Sequence, residues 1–112
     1  MGTRLPGKEY KRVFDGGNPA RGRLFSAWVR FEPGAERQAG VVATKKTFHD
    51  AVDRNRAKRL LREAYRLLVK KGAAPADAKW VFSARRAIEG RKCADVMKEM
   101  EWAFSRKSRQ AR

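Results

Sequence analysis

Residues 51–71 run Ala51-Val52-Asp53-Arg54-Asn55-Arg56-Ala57-Lys58-Arg59-Leu60-Leu61-Arg62-Glu63-Ala64-Tyr65-Arg66-Leu67-Leu68-Val69-Lys70-Lys71 and close on Gly72. On a helical wheel at roughly 100° per residue, with Ala57 at zero, the residues Leu60, Leu61, Ala64, Tyr65, Leu67 and Leu68 fall within about 80° of it. Arg54, Lys58, Arg59, Arg62, Arg66 and Lys70 fall between roughly 60° and 220°, with Asn55 near the middle of that arc. One arc is therefore built for a core and its neighbour is cationic. Upstream, Thr47 opens a Thr-x-x-Asp pattern with Asp50, and Asp50 itself is an equal candidate for the N-cap. Gly72 stops the helix, because glycine takes the left-handed conformation used past a helix C-terminus.

The rest of the chain supplies what the apolar arc packs against. Lys8 to Phe14 reads as a short helix, with Tyr10, Val13 and Phe14 at i, i+3 and i+4. Gly16 and Gly17 follow it. Arg23 to Phe31 alternates as a strand, with Phe25, Ala27, Val29 and Phe31 on a core face. Leu24, Ser26, Trp28 and Arg30 share the other, wetter face. Glu32 to Ala39, with Pro33 and Gly34, reads as a loop, and Gly40 to Thr44 as a short buried strand. An alternative division places an extra short strand near Glu36 to Gln38. Gly72 to Ala78 reads as a linker and Lys79 to Ala84 as a strand centred on Trp80, Val81 and Phe82. Arg91 to about Ser105 reads as a last helix with Cys93, Val96, Met97, Met100 and Phe104 on one face. Residues from about 106 to 112 read as a frayed basic tail. The order α-β-β-α-β-α, without repeat or domain boundary, predicts one α+β domain over residues 1–112, with helices packed on one sheet.

Charge narrows the function. The chain has 112 residues and a formal net charge of +16, from 28 Lys and Arg against 12 Asp and Glu. A small domain so charged repels itself, and an acidic polymer relieves that repulsion. Neutralised phosphates release condensed counterions, so binding of nucleic acid weakens steeply with salt. No apolar run approaches the roughly 20 residues of a membrane span. Met1 to Lys11 shows no secretory pattern, so a cytoplasmic location is expected. Cys93 is the single cysteine and His49 the single histidine, which leaves no intramolecular disulfide and no Cys/His metal site.

The cationic arc carries the chemistry. Arg54, Lys58, Arg62 and Arg66 form an i, i+4 ladder of like charges, each step unfavourable by a few tenths of a kcal/mol. Glu63 relieves it in part, through Arg59 or Arg66. The ordinary reading of such a face is simple solvation, but a ladder with so few acidic partners in so basic a chain favours nucleic acid. A guanidinium grips a phosphate through two hydrogen bonds or stacks on a base. Asn55 has a donor and an acceptor, suited to a base edge or to orienting a neighbour. No catalytic constellation stands out. His49 fits a surface or capping role, Asp50 and Asp53 suit a helix N-terminus better than a metal site, and Cys93 suits a core. Trp80, Trp102 and Phe104 are expected in packing.

The run from Ala51 to Arg66, with its Arg54-Asn55-Arg56 core, Lys58-Arg59 pair and Arg62-Glu63 step, resembles the signature helix of the bacterial ribonuclease P protein subunit. Tyr10-Lys11-Arg12-Val13-Phe14 before glycine resembles that family's N-terminal aromatic helix. Val42-Ala43-Thr44-Lys45-Lys46 resembles its strand ending in paired lysines, and Phe82-Ser83-Ala84-Arg85-Arg86 its last strand. The resemblance implies a two-layer α-β sandwich with a small, mostly antiparallel sheet and a left-handed β-α-β crossover, against the usual hand. It implies a partner RNA that hydrolyses the phosphodiester with bound Mg2+ and so removes the 5′ leader of precursor tRNA. One protein per RNA is expected, with no catalytic residue and no metal ligand of its own.

Carried over residue by residue, Arg54, Asn55, Arg56, Lys58, Arg59, Arg62 and Arg66 would face the catalytic RNA. Tyr10, Phe14 and Trp28 would line the leader cleft, with Lys45, Lys46 and Arg85 as its cations. Tyr10 and Trp28 stand where other members often carry Phe and Tyr. Single-stranded RNA suits such a cleft, since aromatic stacking and a cationic groove hold it together. The competing readings are a structural RNA-binding protein, such as a ribosomal one, and a DNA-binding protein that lays the helix in a major groove.

Overall fold

The computed structural model describes residues 3–110. A single 3-10 turn, Gly7–Glu9, leads into α1 (Tyr10–Phe14), followed by β1 (Ala20–Arg21), β2 (Phe25–Phe31), β3 (Gln38–Val42), α2 (Ala51–Lys71), β4 (Ala78–Ala84) and α3 (Cys93–Gln110). The sheet order is β1-β2-β4-β3. β2 pairs antiparallel with both β1 and β4, and β3 runs parallel to β4 in the register Val41↔Phe82. The β3-α2-β4 unit is thus the one parallel crossover, and α2 is its connection. Arg4 adds an isolated parallel bridge to Ala39.

The main core lies between the sheet and α2 and α3. Ala57, Leu61, Ala64, Tyr65 and Leu68 from α2 meet Val96, Met100, Ala103 and Phe104 from α3 and the inward face of the sheet. Aromatic rings fill the middle: Trp80 and Phe82 lie stacked with centroids 5.7 Å apart, and Phe25, Tyr65 and Phe104 pack around them. Truncating a fully buried leucine here, such as Leu61, costs about 2–5 kcal/mol through lost transfer energy and an unfilled cavity. The opposite face carries a smaller core of Leu5, Val13 and Val81, with Tyr10, Trp28 and Val42 packed against it. The Trp28 face is therefore not simply wet; α1 covers part of it.

Several boundaries move from their sequence reading. β3 begins at Gln38 and ends at Val42, not Gly40 to Thr44, and no separate strand forms at Glu36 to Gln38. Thr44 leaves the ladder because its side chain is used in the following turn, where it accepts from the Thr47 backbone N–H. An additional strand does exist, but at Ala20–Arg21, where two residues are too few to show alternation. Leu24 is buried in the main core because it sits in the β1–β2 turn, out of the pleat. Glu99 of α3 fixes that turn by accepting from the backbone N–H groups of Arg23, Leu24 and Phe25 at 2.8–3.2 Å. α3 continues through Gln110 where the sequence suggests a frayed tail; no glycine or proline interrupts it, and Lys107 Nζ reaches the Asn18 carbonyl at 2.6 Å. Ala111 and Arg112, the end of that expected tail, lie outside the described residues.

α2 starts after Asp50, whose extended backbone makes it the N-cap, though its side chain forms no capping hydrogen bond. The helix start is held from inside instead. Arg54 Nη1 donates to the carbonyls of Phe48 and His49, both at 2.9 Å. Gly72 ends the helix at φ +81°, and its N–H and that of Ala73 close back on the last turn.

Candidate nucleic-acid interface

The cationic arc of α2 forms as the wheel places it. Asn55, Arg56, Arg59 and Arg66 are exposed, while Lys58, Arg62 and Arg54 are half-buried. Arg54 is the least free of these, since its guanidinium also ties down the preceding loop. Glu63 pairs with Arg66, not Arg59. That hydrogen bond holds the Glu63 carboxyl below the usual carboxylate range and raises Arg66 further. Arg56, Lys58, Arg59 and Arg62 have no acidic partner among the described residues. The ladder thus keeps most of its repulsion, which an anion would relieve.

One cation escaped the sequence reading. Arg4 joins Arg59, Arg62 and Arg66 around a cavity of about 480 Å³ that Asn55 and Tyr65 also line. It is placed there by backbone pairing: Leu5 N–H donates to the Ala39 carbonyl at 3.0 Å, and Ala39 N–H to the Thr3 carbonyl at 2.7 Å. An arginine in a short leading segment, just ahead of Pro6, gives no periodic signal, so only the pairing reveals it. The Tyr65 hydroxyl is buried, has no hydrogen-bond partner, and burial pushes its pKa upward. It serves here as an apolar wall that does not titrate at neutral pH.

The aromatic group lies across the sheet from α2. Phe14 and Trp28 meet edge to face with centroids 4.9 Å apart, and Phe14 is 37% exposed. Tyr10 is more deeply engaged. Its hydroxyl accepts from the Val41 N–H at 3.1 Å, and its ring rests on Gly40, where any Cβ would collide with it. Gly40 is thus required by a close approach. Arg30, adjacent to Trp28 in the pattern, is not available to the group: it pairs with Glu32 at 3.2 Å. Glu32 and Glu9 also hold Lys79 and Arg12, so the cations at this end of the sheet are largely neutralised.

The other end is different. Lys45 and Lys46 follow the C-terminus of β3, and Arg85 follows that of the parallel β4, so both sets leave the same end of the sheet. Lys45 and Lys46 are exposed. Arg85 turns away from Tyr10 and Phe14: its Nη1 donates to the Gly22 carbonyl at 3.1 Å, and it lines a groove against α3. The aromatic and arginine sets approach each other at the β3 edge, where Tyr10, Arg4 and Arg62 line one cavity of about 380 Å³. A strand-like ligand thus finds aromatics on one face, a cationic helix on the other, and Arg4 and Arg62 at the rim between them.

The described residues contain no group of three or more His, Cys, Asp or Glu side chains close enough to hold a metal ion. Among them, no helix is long and apolar enough to cross a membrane. Cys93 is half-buried against Glu63, and burial raises its thiol pKa, so it is a poor nucleophile.

The family model described as Ribonuclease P matches residues 5–108. The chain is similar to the ribonuclease P protein component of Thioalkalivibrio sulfidiphilus, at 33% identity over 101 residues, covering 90% of this chain and 82% of that protein. Among solved structures, the ribonuclease P protein of Thermotoga maritima superposes with a TM-score of 0.75 at 23% identity, covering 92% of this chain and 96% of that one. The Staphylococcus aureus ribonuclease P protein gives 0.72 at 20% identity, covering 94% of each chain. At those identities the two structures speak for the fold, and they agree with the mixed four-stranded sheet and three helices.

Proposed function

The chain belongs to the ribonuclease P protein family, and on that premise we propose that it binds the catalytic RNA through α2 and the 5′ leader of precursor tRNA through the α1 side of the sheet. The observation that carries this reading is the unneutralised ladder on α2. Arg56, Lys58, Arg59 and Arg62 stand without acidic partners among the described residues, with Arg4 added beside them. Asn55 and Arg66 complete the RNA-facing set, and Arg54 contributes what its loop contacts leave free. Each phosphate neutralised there releases a counterion, and several such contacts in one rigid helix fix the orientation of the RNA.

The leader set is Phe14, Trp28 and Tyr10, with Lys45 and Lys46 beyond β3 and Arg85 beyond β4. Phe14 and Trp28 offer the stacking surface, worth roughly 1–3 kcal/mol per stacked base. Tyr10 shapes the floor. Holding the leader on the protein while α2 holds the RNA positions the scissile bond against the RNA's own active site, an orientational contribution. In this reading, which follows the family resemblance, the Mg2+ and the phosphodiester hydrolysis belong to the RNA, and the protein's part is binding and orientation. Its cations lower the Mg2+ needed by screening phosphate repulsion.

The test is reconstitution. Full-length protein added to a bacterial ribonuclease P RNA should raise precursor-tRNA cleavage at low Mg2+, where the RNA alone is slow. No gain with folded protein overturns the proposal and favours a structural RNA-binding role.

A further inference from the structure

As a large aromatic Trp102 is expected in packing, yet the residue is 41% exposed on α3. It lines an open groove of about 760 Å³ together with Arg21, Arg23, Arg85 and Lys98. The guanidinium of Arg106 lies 5.7 Å from the Trp102 ring centroid, one turn along the helix. Two carboxylates also line the groove, but both are committed to backbone donors. Glu99 accepts from three N–H groups of the β1–β2 turn, and Asp95 accepts from the Lys92 N–H at the start of α3. Arg21, Arg23 and Lys98 have no acidic partner among the described residues. A large aromatic held half in water and ringed by unpaired cations is poorly explained by folding. It leaves 41% of its surface in water, and the cations repel one another.

From this charge complementarity we propose that the α3 groove is a separate single-stranded RNA site, in which an unpaired base stacks on Trp102 while its flanking phosphates meet Arg21, Arg23 and Lys98. Aromatic stacking accepts any base, and the cations track the backbone, the usual division in sequence-tolerant binding. Arg106 enlarges the platform, since a guanidinium also stacks on a base. The groove opens beside the C-terminal end of β4 and shares Arg85 with the leader set. Otherwise it stands apart from α2 and from Phe14 and Trp28. It offers a place for a second unpaired segment, either further along a leader or in the partner RNA.

The probe is a 12-nucleotide oligouridylate titrated into full-length protein. Trp80 is fully buried, so in a Trp28→Phe background Trp102 is the only accessible indole. Its fluorescence should be quenched on titration, and the quench should vanish in Trp28→Phe/Trp102→Phe. In a Phe14→Ala/Trp28→Ala background, which removes the stacking surface of the leader set, Trp102→Ala should weaken oligouridylate binding by roughly 5- to 150-fold, while Trp102→Phe retains most of it. Arg23→Ala/Lys98→Ala should reduce the salt slope by about 0.7 per lost contact. An unquenched Trp102, or unchanged binding by a Trp102→Ala variant with a native melting profile, overturns the proposal. So does a wild-type dimer that Trp102→Ala converts to monomer, which would make this face a self-association surface. Cleavage at low Mg2+ is read separately, so loss of this site leaves the α2 assignment standing. To separate the two sources, precursor tRNAs with short and long leaders are compared. A Trp102→Ala defect confined to the long leader assigns the groove to the leader, and an equal defect in binding the catalytic RNA alone assigns it to that RNA.

Discussion

At the scale of single residues, similar arginines have been given different work. Arg59 and Arg62 point their charge at no protein acid among the described residues, Arg54 is partly consumed by two carbonyls, and Arg66 is held by Glu63. Replacing Glu63 with Gln frees Arg66 and removes a negative charge from the ladder. RNA affinity at low salt should rise severalfold, and the slope of log affinity against log salt should steepen by up to about one unit. Filter binding over a salt series reads this; unchanged affinity and slope would mean that Arg66 faces solvent in the complex. The arginine face was legible in the sequence because 3.6-residue periodicity places side chains with little help from the rest of the fold. Arg4 was not. Arg4 reaches the same face only through a bridge to the distant Ala39. Trp102 was expected in packing as a large aromatic, yet at roughly 100° per residue it falls on the far side of α3 from Val96, Met100 and Phe104, so its exposure was legible from period alone.

At the scale of elements, α1 does two jobs that a mutation can separate. Tyr10 anchors the helix to β3 through Gly40 and Val41, whereas Phe14 lies at the surface against Trp28. Phe14→Ala should weaken precursor tRNA more than mature tRNA, by roughly 5-fold or more if one base is stacked there, with little change in melting temperature. Tyr10→Ala should instead lower stability by roughly 1–3 kcal/mol, measured by urea unfolding. A Phe14→Ala variant that binds both RNAs equally less well would remove it from the leader site. The long helix, its stop at Gly72 and the β2 and β4 strands were readable, because each carries a full period of apolar residues. β1 is two residues long, and the position of β3 was set by its partner β4 and by the demands of the Thr44 turn, neither visible locally. Arg85 likewise depends on how the chain turns after β4, and the structure separates it from the aromatic pair with which the family resemblance groups it.

At the scale of the whole molecule, charge is distributed unevenly. Glu9 and Glu32 neutralise the start of β4, with Lys79 beside Glu32 lowering that carboxyl's pKa most, while α2 and the far end of the sheet stay cationic. A carboxyl depressed in the folded state stabilises it above its unfolded pKa and loses that contribution as protons bind. Stability should therefore fall as pH drops through and below about 4.5, and Glu32→Gln should flatten that part of the profile in thermal melts from pH 7 to pH 3. An identical slope in the variant would show that this network adds nothing to folding. The chain's excess positive charge was plain from composition, but its division into a neutralised end and an open face required the fold. The central claim, that α2 holds the catalytic RNA, is tested most directly by titrating bacterial ribonuclease P RNA with wild-type and Arg59→Ala/Arg62→Ala protein across a salt series. The account predicts tight, steeply salt-dependent wild-type binding and a variant slope smaller by about two units; overlapping curves for the two proteins would contradict it.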